Sequence, residues 1–362
     1  MVEERDELLM TPGPTELLPD VREAMGRPLV NPDVEAEFAD YYRSLLDKLA
    51  TVYDTDDETV ILAGEGILGL EASAASLVED GDDVLCLANG IYGEGFADFV
   101  EMHGGDPTIH ATDFDAGFDP EAVKAAVEDG DFAAATLVHC ETPTGVLNDF
   151  EEVLQILQDA GVLTVVDAVS SLGGTAVPVE HIDVCLGASQ KCFSSPPGLT
   201  TLSVSDRAWE KVEATEQDSF YTSLEPWRDP DLSGDGPAFL PYTHAVSNLY
   251  ALEASLDRLL DEGLESVHDR HEAAAERCRE RGRDLGLEPF APEGLRSPTV
   301  TAFEIEGSAT EIRDRLEADH GVVVATSLGD FEDDLLRVGH MGYGAQVERV
   351  ERTMDALESV LN

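Results

Sequence analysis

Basic residues are scarce in this chain. Its 362 residues include 76 aspartates and glutamates but only 22 lysines and arginines, and the formal net charge is −54 at pH 7. Nucleic acids and anionic membranes are bound by clusters of basic side chains, so this composition argues against both partners. The one arginine-rich stretch, 277–283, is interleaved with acids and is typical of a solvated helix face. We expect folding to depend on molar salt, because 1 M salt screens charges beyond roughly 3 Å.

The chain also lacks a disulfide framework, a metal motif and a membrane anchor. Its cysteines are odd in number, widely spaced and mostly within apolar runs (Cys86, Cys140, Cys185, Cys192 and Cys278), which is neither a disulfide framework nor a zinc pattern. Its histidines show no spacing typical of a metal site or a catalytic triad. No apolar run is long enough to span a bilayer, and the first seven residues are acidic where a secretory signal is basic. We therefore expect a cytoplasmic protein.

The hydrophobic content, 43%, is typical of a globular core. From about residue 33 to 205, short apolar runs alternate with stretches of helical periodicity, which predicts an α/β fold with a mainly parallel sheet flanked by helices. Seven strands are predicted at Thr59–Ala63, Val84–Ala88, Pro107–Ala111, Ala133–His139, Val162–Val166, Ile182–Leu186 and Leu199–Val204. Helices are predicted at 66–79, 92–103, 119–129, 149–160, 244–261 and 264–285.

Two later segments differ from this pattern. Residues 215–242 contain prolines, glycines and aromatic residues and predict a long irregular segment that carries function or contacts a partner. Beyond residue 262 the predicted order is strand 299–305, helix 308–319, strands 322–325 and 335–338, and helix 345–360. We therefore divide the chain into an N-terminal arm (1–20), a large domain (21–261) and a smaller α+β C-terminal domain (262–362).

Lysine is the rarer of the two basic residues, with four lysines against eighteen arginines. Three of the four lie in polar, helix-like stretches, whereas Lys191 follows an apolar strand and a turn of small residues. A desolvated lysine with a lowered pKa can form a Schiff base, which arginine cannot. The alternative is a structural lysine that buries its stem and extends its amine to water.

Asp167 ends the apolar run 162–166, which predicts a carboxylate at the carboxyl edge of the sheet, where open α/β sheets bind ligands. It either caps the following turn or pairs with a protonated ring nitrogen. Lys191 follows the next predicted strand, so one molecule with an aldehyde and a ring nitrogen can reach both residues. Pyridoxal phosphate is such a molecule.

The segment 63–71 follows a strand and opens a helix, as a phosphate-binding loop requires. Its Gly64, Gly66 and Gly69 also match the dinucleotide pattern, which leaves a nicotinamide oxidoreductase as an alternative. That alternative requires an acidic residue at the end of the second strand, where this chain has Asn89. A purely structural tight turn explains the glycines as well.

Arg337 lies inside the apolar run 335–339 of the C-terminal part. It forms either a salt bridge to an acid such as Asp333 or Asp334, or a bidentate clamp on a substrate carboxylate.

These segments together resemble the class V aminotransferases of fold-type I, in particular the alanine–glyoxylate, serine–pyruvate and serine–glyoxylate group. The likeness covers nearly the whole chain, at 11–15 (TPGPT), 89–93 (NGIYG), 141–147 (ETPTGVL), 166–174 (VDAVSSLGG), 187–191 (GASQK), 196–198 (PPG) and 336–339 (LRVG). The DAVSS and SQK elements, in that order and spacing, are specific. The resemblance implies a homodimeric transaminase that uses pyridoxal 5'-phosphate to move an amino group from alanine or serine to glyoxylate or pyruvate.

The resemblance also implies roles for single residues. Lys191 would bind the cofactor aldehyde and Asp167 would keep the ring nitrogen protonated, with Tyr92 stacked on the ring and Thr142 near the ring hydroxyl. The remaining implied contacts are with cofactor (Gly64, Glu65, Gly66, Ile67, Val169, Gln190 and, from the neighbouring subunit, Thr243) and with substrate (Gly13 and Arg337).

Two positions depart from the family pattern. Relatives often have serine or threonine in the phosphate loop where this chain has Glu65 and Ile67. An anionic side chain repels phosphate, so we expect Glu65 to turn away and leave backbone donors. Related enzymes also tend to have tyrosine where Leu240 stands, and Tyr242 is the candidate substitute.

Other functions remain open from the sequence. A lyase or desulfurase on the same fold is the second hypothesis, although the only late cysteine, Cys278, lies in a helical pattern rather than a loop. The nicotinamide oxidoreductase is the third hypothesis, and a non-catalytic binding protein is the fourth.

Overall fold

The structure is a computed structural model that describes residues 7–228, 230, 232, 238 and 240–362. Its strands are β1 (Leu8–Leu9), β2 (Glu58–Leu62), β3 (Asp83–Ala88), β4 (Asp106–Ala111), β5 (Ala134–Val138), β6 (Cys140–Glu141), β7 (Val146–Leu147), β8 (Leu163–Asp167), β9 (Val184–Ala188), β10 (Thr200–Val204), β11 (Val300–Glu304), β12 (Val322–Val323), β13 (Ala325–Thr326) and β14 (Leu335–Gly339). Its helices are α1 (Pro19–Ala24), α2 (Glu37–Tyr53), α3 (Gly66–Leu77), α4 (Ile91–Met102), α5 (Pro120–Asp129), α6 (Glu151–Asp159), α7 (Asp206–Ala214), α8 (Val246–Glu262), α9 (Leu264–Asp284), α10 (Ala309–His320) and α11 (Val347–Leu361).

The seven predicted strands form one sheet, in the order β2-β10-β9-β8-β5-β3-β4. Only β10 runs antiparallel to its neighbours, so the prediction of a mainly parallel α/β sheet is confirmed. Every residue of β5, β8 and β9 is buried, as expected for parallel strands covered by helices on both faces. The carboxyl ends of β3, β5, β8 and β9 consequently meet at one edge of the sheet.

The strand order does not support the dinucleotide interpretation of the glycine loop. That loop follows β2, which pairs with β10 alone, whereas β3 lies between β5 and β4. A dinucleotide-binding unit joins neighbouring parallel strands through its loop and helix. Here β2 and β3 are separated by four strands.

The C-terminal part contains a second, three-stranded sheet in the order β11-β14-β13. The continuous strand predicted at 322–325 is wrong, because the chain changes sheet at Val324: β12 pairs in parallel with β1, and β13 pairs antiparallel with β14. Leu8 and Met10 belong to the same buried apolar cluster as residues of α9, α10 and α11. The N-terminal segment is thereby fastened to the C-terminal part, while the division into domains stays a prediction.

Three helices, α1, α2 and α7, were not predicted. In α2 the buried residues Phe38, Tyr42, Leu45, Leu49 and Val52 recur every three or four positions, which is the pattern of a helix with one buried face. That signal was present in the sequence. In the described part of the chain, no helix has both the length and the apolar character needed to cross a membrane.

Candidate active site

A cavity of about 310 Å³ lies at the carboxyl edge of the large sheet. Distant segments of the chain line it, including the loops after β8 and β9 and the starts of α3 and α4. Ten of the predicted site residues are among its lining: Gly13, Glu65, Gly66, Ile67, Tyr92, Thr142, Asp167, Val169, Gln190 and Lys191. The remaining three, Gly64, Thr243 and Arg337, lie outside that lining.

Lys191 lies in the turn after β9, and its Nζ donates a hydrogen bond to the carbonyl oxygen of Pro12 at 2.8 Å. Burial lowers the pKa of the Lys191 amine, the charge of Arg337 lowers it further, and the Asp167 carboxylate opposes both effects. A lowered pKa raises the fraction of neutral amine, which is the nucleophilic form.

The turn that carries Lys191 is held by contacts with other segments. Ser194 has a left-handed backbone conformation (φ 54°), which non-glycine residues rarely adopt. Its Oγ accepts a hydrogen bond from the backbone N–H of Tyr343 at 2.7 Å, and its carbonyl oxygen accepts one from Ser255. The hydroxyl of Thr15 donates to the carbonyl oxygen of Lys191 at 3.1 Å. These contacts hold the lysine backbone in a single position.

Asp167 is the last residue of β8 and is buried. One carboxylate oxygen accepts a hydrogen bond from the Val169 N–H at 2.8 Å, so the residue does cap the following turn. Burial raises the pKa of Asp167 to about 6, and the charge of Lys191 counteracts that rise. A cationic ring nitrogen beside this carboxylate would stabilise its ionised form.

Two buried residues were not predicted from the sequence: Ser170, which lines the cavity, and Glu141, which lies between two lining residues, Cys140 and Thr142. Glu141 accepts a hydrogen bond from the Gly93 N–H at 2.7 Å, at the start of α4, next to Tyr92. Burial raises the pKa of Glu141 to about 7. Ser170 lines the cavity and bonds through its hydroxyl to that of Thr142. Both lie inside the segments ETPTGVL and DAVSS, so the motifs themselves carried the signal.

Glu65 is the residue before α3, and its carboxylate lies across the start of that helix. One oxygen accepts from the Ile67 N–H at 3.3 Å, and the other accepts from Nε2 of Gln190 at 3.4 Å. The expectation that Glu65 turns away is therefore wrong. The first N–H groups of a helix have no intrahelical partner and attract anions. In α3, the Glu65 carboxylate is the anion that accepts from one of these groups.

Gln190 is only 6% exposed. Its contact with Glu65 uses the amide nitrogen, and its Oε1 is buried without a hydrogen-bond partner among the described residues. Gly64 lies behind the cavity, where its carbonyl oxygen accepts from the Thr200 hydroxyl at 3.2 Å. A Cβ at Gly66 would lie 3.1 Å from the Val169 side chain. Glycine therefore lets the start of α3 pack closely on the loop after β8, which contains Val169.

Arg337 lies in β14, and the structure does not support the alternative in which it forms a salt bridge to Asp333 or Asp334. Those carboxylates accept from the N–H groups of Thr310 and Gly307 instead. Arg337 is buried and donates to the carbonyl oxygens of Thr326 and Thr142, at 2.7 and 3.3 Å. Burial lowers its pKa to about 10, so the side chain remains cationic at neutral pH.

No carboxylate of the described residues forms an ion pair with Arg337. A buried cation that is bonded only to carbonyl oxygens is costly unless an anion reaches it. Its charge affects Lys191, so it is close to the cavity. This environment fits the carboxylate of a small substrate.

Thr243 lies outside the cavity of its own chain. Its hydroxyl donates to Asp33 at 2.8 Å on the surface. Leu240 is buried, while the Tyr242 hydroxyl accepts from the Ala63 N–H at 2.9 Å and its ring stacks on Tyr221 with 4.9 Å between ring centroids. The segment before Thr243 thus supports the strand end that leads into the glycine loop.

His139, His244 and His340 are buried. Burial lowers the pKa of His139 and of His244 to about 4 and that of His340 to about 3, so these rings are neutral. In the described ranges, no cluster of histidine, cysteine and acidic side chains could hold a metal ion.

The ring of pyridoxal phosphate fits this donor set. Lys191 offers an amine for the aldehyde, the buried carboxylate of Asp167 lacks the cation that a ring nitrogen supplies, and Tyr92 lines the space between. The phosphate end fits less well. Its donors would be the N–H groups at the start of α3 and the Gln190 amide, and the Glu65 carboxylate already accepts from one of those N–H groups, that of Ile67, and from Nε2 of Gln190.

Comparisons with known proteins agree with the geometry. The family model described as aminotransferase class-V matches residues 22–330. The chain is 34% identical to an uncharacterised aminotransferase of Methanocaldococcus jannaschii (98% of this chain, 92% of the relative) and 32% identical to pyridoxamine–pyruvate transaminase of Mesorhizobium japonicum (98% and 91%). The crystal structure of alanine–glyoxylate aminotransferase from Nostoc superposes with a TM-score of 0.94 at 29% identity, covering 100% of this chain and 97% of that one.

Proposed function

The chain belongs to the class V aminotransferases, and from that premise we propose that it transfers an amino group from a small amino acid, alanine or serine, to glyoxylate or pyruvate. It is a fold-type I transaminase that depends on pyridoxal phosphate. Relatives named for glyoxylate or pyruvate as the acceptor support the choice of acceptor. One buried arginine, which suits one carboxylate, supports a small donor.

The proposed roles follow from the contacts of each residue. Pyridoxal phosphate supplies an aldehyde that takes up amino groups and a cationic ring that accepts the electron pair released at the substrate Cα. Nζ of Lys191 would hold the aldehyde and would serve as the general base for the proton at the substrate Cα. Asp167 would keep the ring nitrogen protonated, and Arg337 would orient the substrate carboxylate.

The observation that carries this proposal is the placement of Lys191 and Asp167 in one cavity beside an arginine without an acidic partner. The test is a panel of amino donors against glyoxylate, pyruvate and 2-oxoglutarate in molar salt, with product amino acids quantified. We expect alanine or serine with glyoxylate or pyruvate to give the highest kcat/KM, with ping-pong kinetics. Turnover only with 2-oxoglutarate would contradict the assignment.

The desulfurase hypothesis finds no support in the cysteines. Cys278 is fully buried within α9, and burial raises the pKa of its thiol to about 12. A persulfide-forming cysteine must be mobile and ionisable. Formation of sulfide and alanine from cysteine by the purified protein would revive this hypothesis.

We also propose a cytoplasmic homodimer adapted to high salt. The aromatic side chains of Phe220 and Tyr221 are about 60% exposed, beside the segment that leads to Thr243, and exposed apolar patches of this kind mark interfaces. All five cysteines are buried and unpaired, which suits a reducing compartment. Light scattering in molar salt should give twice the chain mass of 39.0 kDa; a mass of one chain would contradict the dimer.

A further inference from the structure

The end of the active site that faces a cofactor phosphate is acidic in this chain. Glu65 lines the cavity and accepts from two donors, the Ile67 N–H at the start of α3 and the Gln190 amide. The Thr200 hydroxyl donates to the Glu65 carbonyl oxygen at 2.7 Å, which fixes the backbone from which the carboxylate projects. A helix start that binds its own anion has fewer donors for a second one.

Cations that could offset this acid are few. Of the described residues that line the cavity, Lys191 is the only basic one, and it belongs to the aldehyde end. The two acids of the lining, Glu65 and Asp167, interact through their charges, since Glu65 raises the pKa of Asp167. A phosphate dianion would therefore add negative charge next to a carboxylate without gaining a basic side chain of this chain.

Gln190 provides an independent indication of what this end accepts. Gln190 is more than nine-tenths buried and lines the cavity. Its Nε2 donates to Glu65, and this hydrogen bond sets the orientation of the amide group. The buried Oε1 is left without a donor among the described residues. A carboxylate and an amide oxygen together suit a hydroxyl group, which donates a hydrogen bond, rather than a phosphate, which needs donors.

We propose that the site also binds the unphosphorylated form of the cofactor ring and turns it over as a substrate. Pyridoxamine, which carries a hydroxymethyl group in place of the phosphate ester, would place that hydroxyl against Glu65 and Gln190. This inference rests on the proposed transaminase function and extends it to a freely exchanging amino donor.

The reaction is balanced without a further oxidant. Pyridoxamine and a 2-oxo acid give pyridoxal and an amino acid: the amino group and the carbonyl oxygen exchange places, the ring methylene carbon is oxidised to an aldehyde, and the 2-oxo carbon is reduced. Lys191 moves one proton from the methylene carbon to the new Cα. The reverse reaction uses alanine to aminate pyridoxal.

Binding measurements test the effect of Glu65 on the choice between the phosphorylated and unphosphorylated ring without relying on catalytic activity. Equilibrium dialysis of the wild-type protein and of Glu65→Gln against pyridoxal and pyridoxal phosphate, in molar salt, measures both dissociation constants. We expect Glu65→Gln to bind pyridoxal phosphate at least tenfold more tightly than wild type, while its affinity for pyridoxal stays within about threefold. Glu71→Gln, on the same helix but outside the cavity lining, removes one charge elsewhere and should change neither constant.

Activity completes the test. Wild-type protein freed of bound cofactor should convert pyridoxamine and pyruvate or glyoxylate to pyridoxal and alanine or glycine, and borohydride reduction with pyridoxal should add one unphosphorylated ring to Lys191. An unchanged ratio of the two dissociation constants in Glu65→Gln, or the absence of pyridoxal formation, would overturn the inference. If alanine is still turned over with pyridoxal phosphate, the proposed function stands; if no amino donor is used with either form, that function fails instead.

Discussion

Nζ of Lys191 donates to the carbonyl oxygen of Pro12 at 2.8 Å, across 179 positions of sequence. The N-terminal segment therefore forms one wall of the site. Leu8 and Leu9 of the same segment pair with Val322 and Val323, and the Gly339 N–H donates to the Met10 carbonyl oxygen at 2.7 Å. The strand that carries Arg337 is thereby tied, through residues 8–12, to Lys191.

Lys191→Ala should abolish turnover, with a loss of at least about 10³-fold, since general acid–base catalysis alone contributes roughly 10²–10⁴-fold. Initial rates of transamination and the mass of the borohydride-reduced protein measure the effect. Lys211, which pairs with Glu79 and Asp82 away from the cavity, provides the matched control, and Lys211→Ala should keep the wild-type rate. A wild-type rate in Lys191→Ala would reject the assignment.

Gly13→Ala should disturb the lysine without unfolding the protein. A Cβ at Gly13 would lie 2.5 Å from Cδ and 3.1 Å from Nζ of Lys191, at a φ of +92°. We expect kcat/KM to fall by about tenfold or more, because small displacements of a catalytic group are costly. Gly81 has a similar φ of +83° with nothing within 4 Å, so Gly81→Ala should cost about 1–2 kcal/mol of stability and leave kcat/KM unchanged. Equal activity losses in both variants would contradict a steric role for Gly13.

Arg337→Lys should raise KM for the amino donor more than it lowers kcat. Lysine keeps the charge but loses the planar fork that binds a carboxylate at two points. Removing one partner of a buried charged pair costs about 2–5 kcal/mol, or roughly 300-fold at the middle of that range, which is an upper bound for a lysine that keeps the charge. Arg296→Lys is the control, since Arg296 bonds the Ala291 carbonyl oxygen away from the cavity. An unchanged KM in Arg337→Lys would place the substrate carboxylate elsewhere.

Glu141 makes the unfolding free energy depend on pH. Burial raises its pKa from 4.5 to about 7, so the folded protein binds this proton more tightly than the unfolded chain does. Ionising buried Glu141 therefore lowers the free energy of unfolding. This loss is absent below pH 4.5, grows as the pH rises to 7 and reaches about 3 kcal/mol above pH 7. Relative to wild type, Glu141→Gln should therefore gain stability between pH 4.5 and 8.

Chemical denaturation at several pH values measures the difference in the free energy of unfolding between Glu141→Gln and wild type. The contributions of the other carboxylates are the same in both proteins and cancel in this difference. Glu101→Gln, at an exposed position of α4, the helix whose first N–H groups Glu141 contacts, provides the matched control. A pH-independent difference for Glu141→Gln would mean that Glu141 ionises normally.

Stability should fall when salt is diluted. The net charge of −54 produces repulsion that molar salt screens and low salt does not. We expect the thermal midpoint, followed by circular dichroism, to drop by at least 10 °C between 3 M and about 0.1 M KCl. A midpoint independent of salt would contradict this interpretation.

Most of the fold was predictable from sequence because the pattern of apolar residues is local. The seven strands of the large sheet and the helices between them follow from periodicity, and a mainly parallel sheet follows from their alternation. The positions of Asp167 and Lys191 at the carboxyl edge are a consequence of where two strands end. The glycine loop and the apolar run around Arg337 were also visible in the sequence, and the family resemblance added Tyr92, Thr142, Val169, Gln190, Gly13 and Thr243, of which Thr243 lies away from the cavity in its own chain.

What only the tertiary structure decided is which distant groups meet. The sequence alone identifies Lys191 as an unusual amine, yet the contact with Pro12 depends on β1 joining the C-terminal part. Likewise, the placement of Arg337 without an acidic partner and the position of the Glu65 carboxylate across α3 depend on competition among neighbouring donors and acceptors. Periodicity records whether a residue is buried, whereas hydrogen-bond partners are chosen by packing in three dimensions.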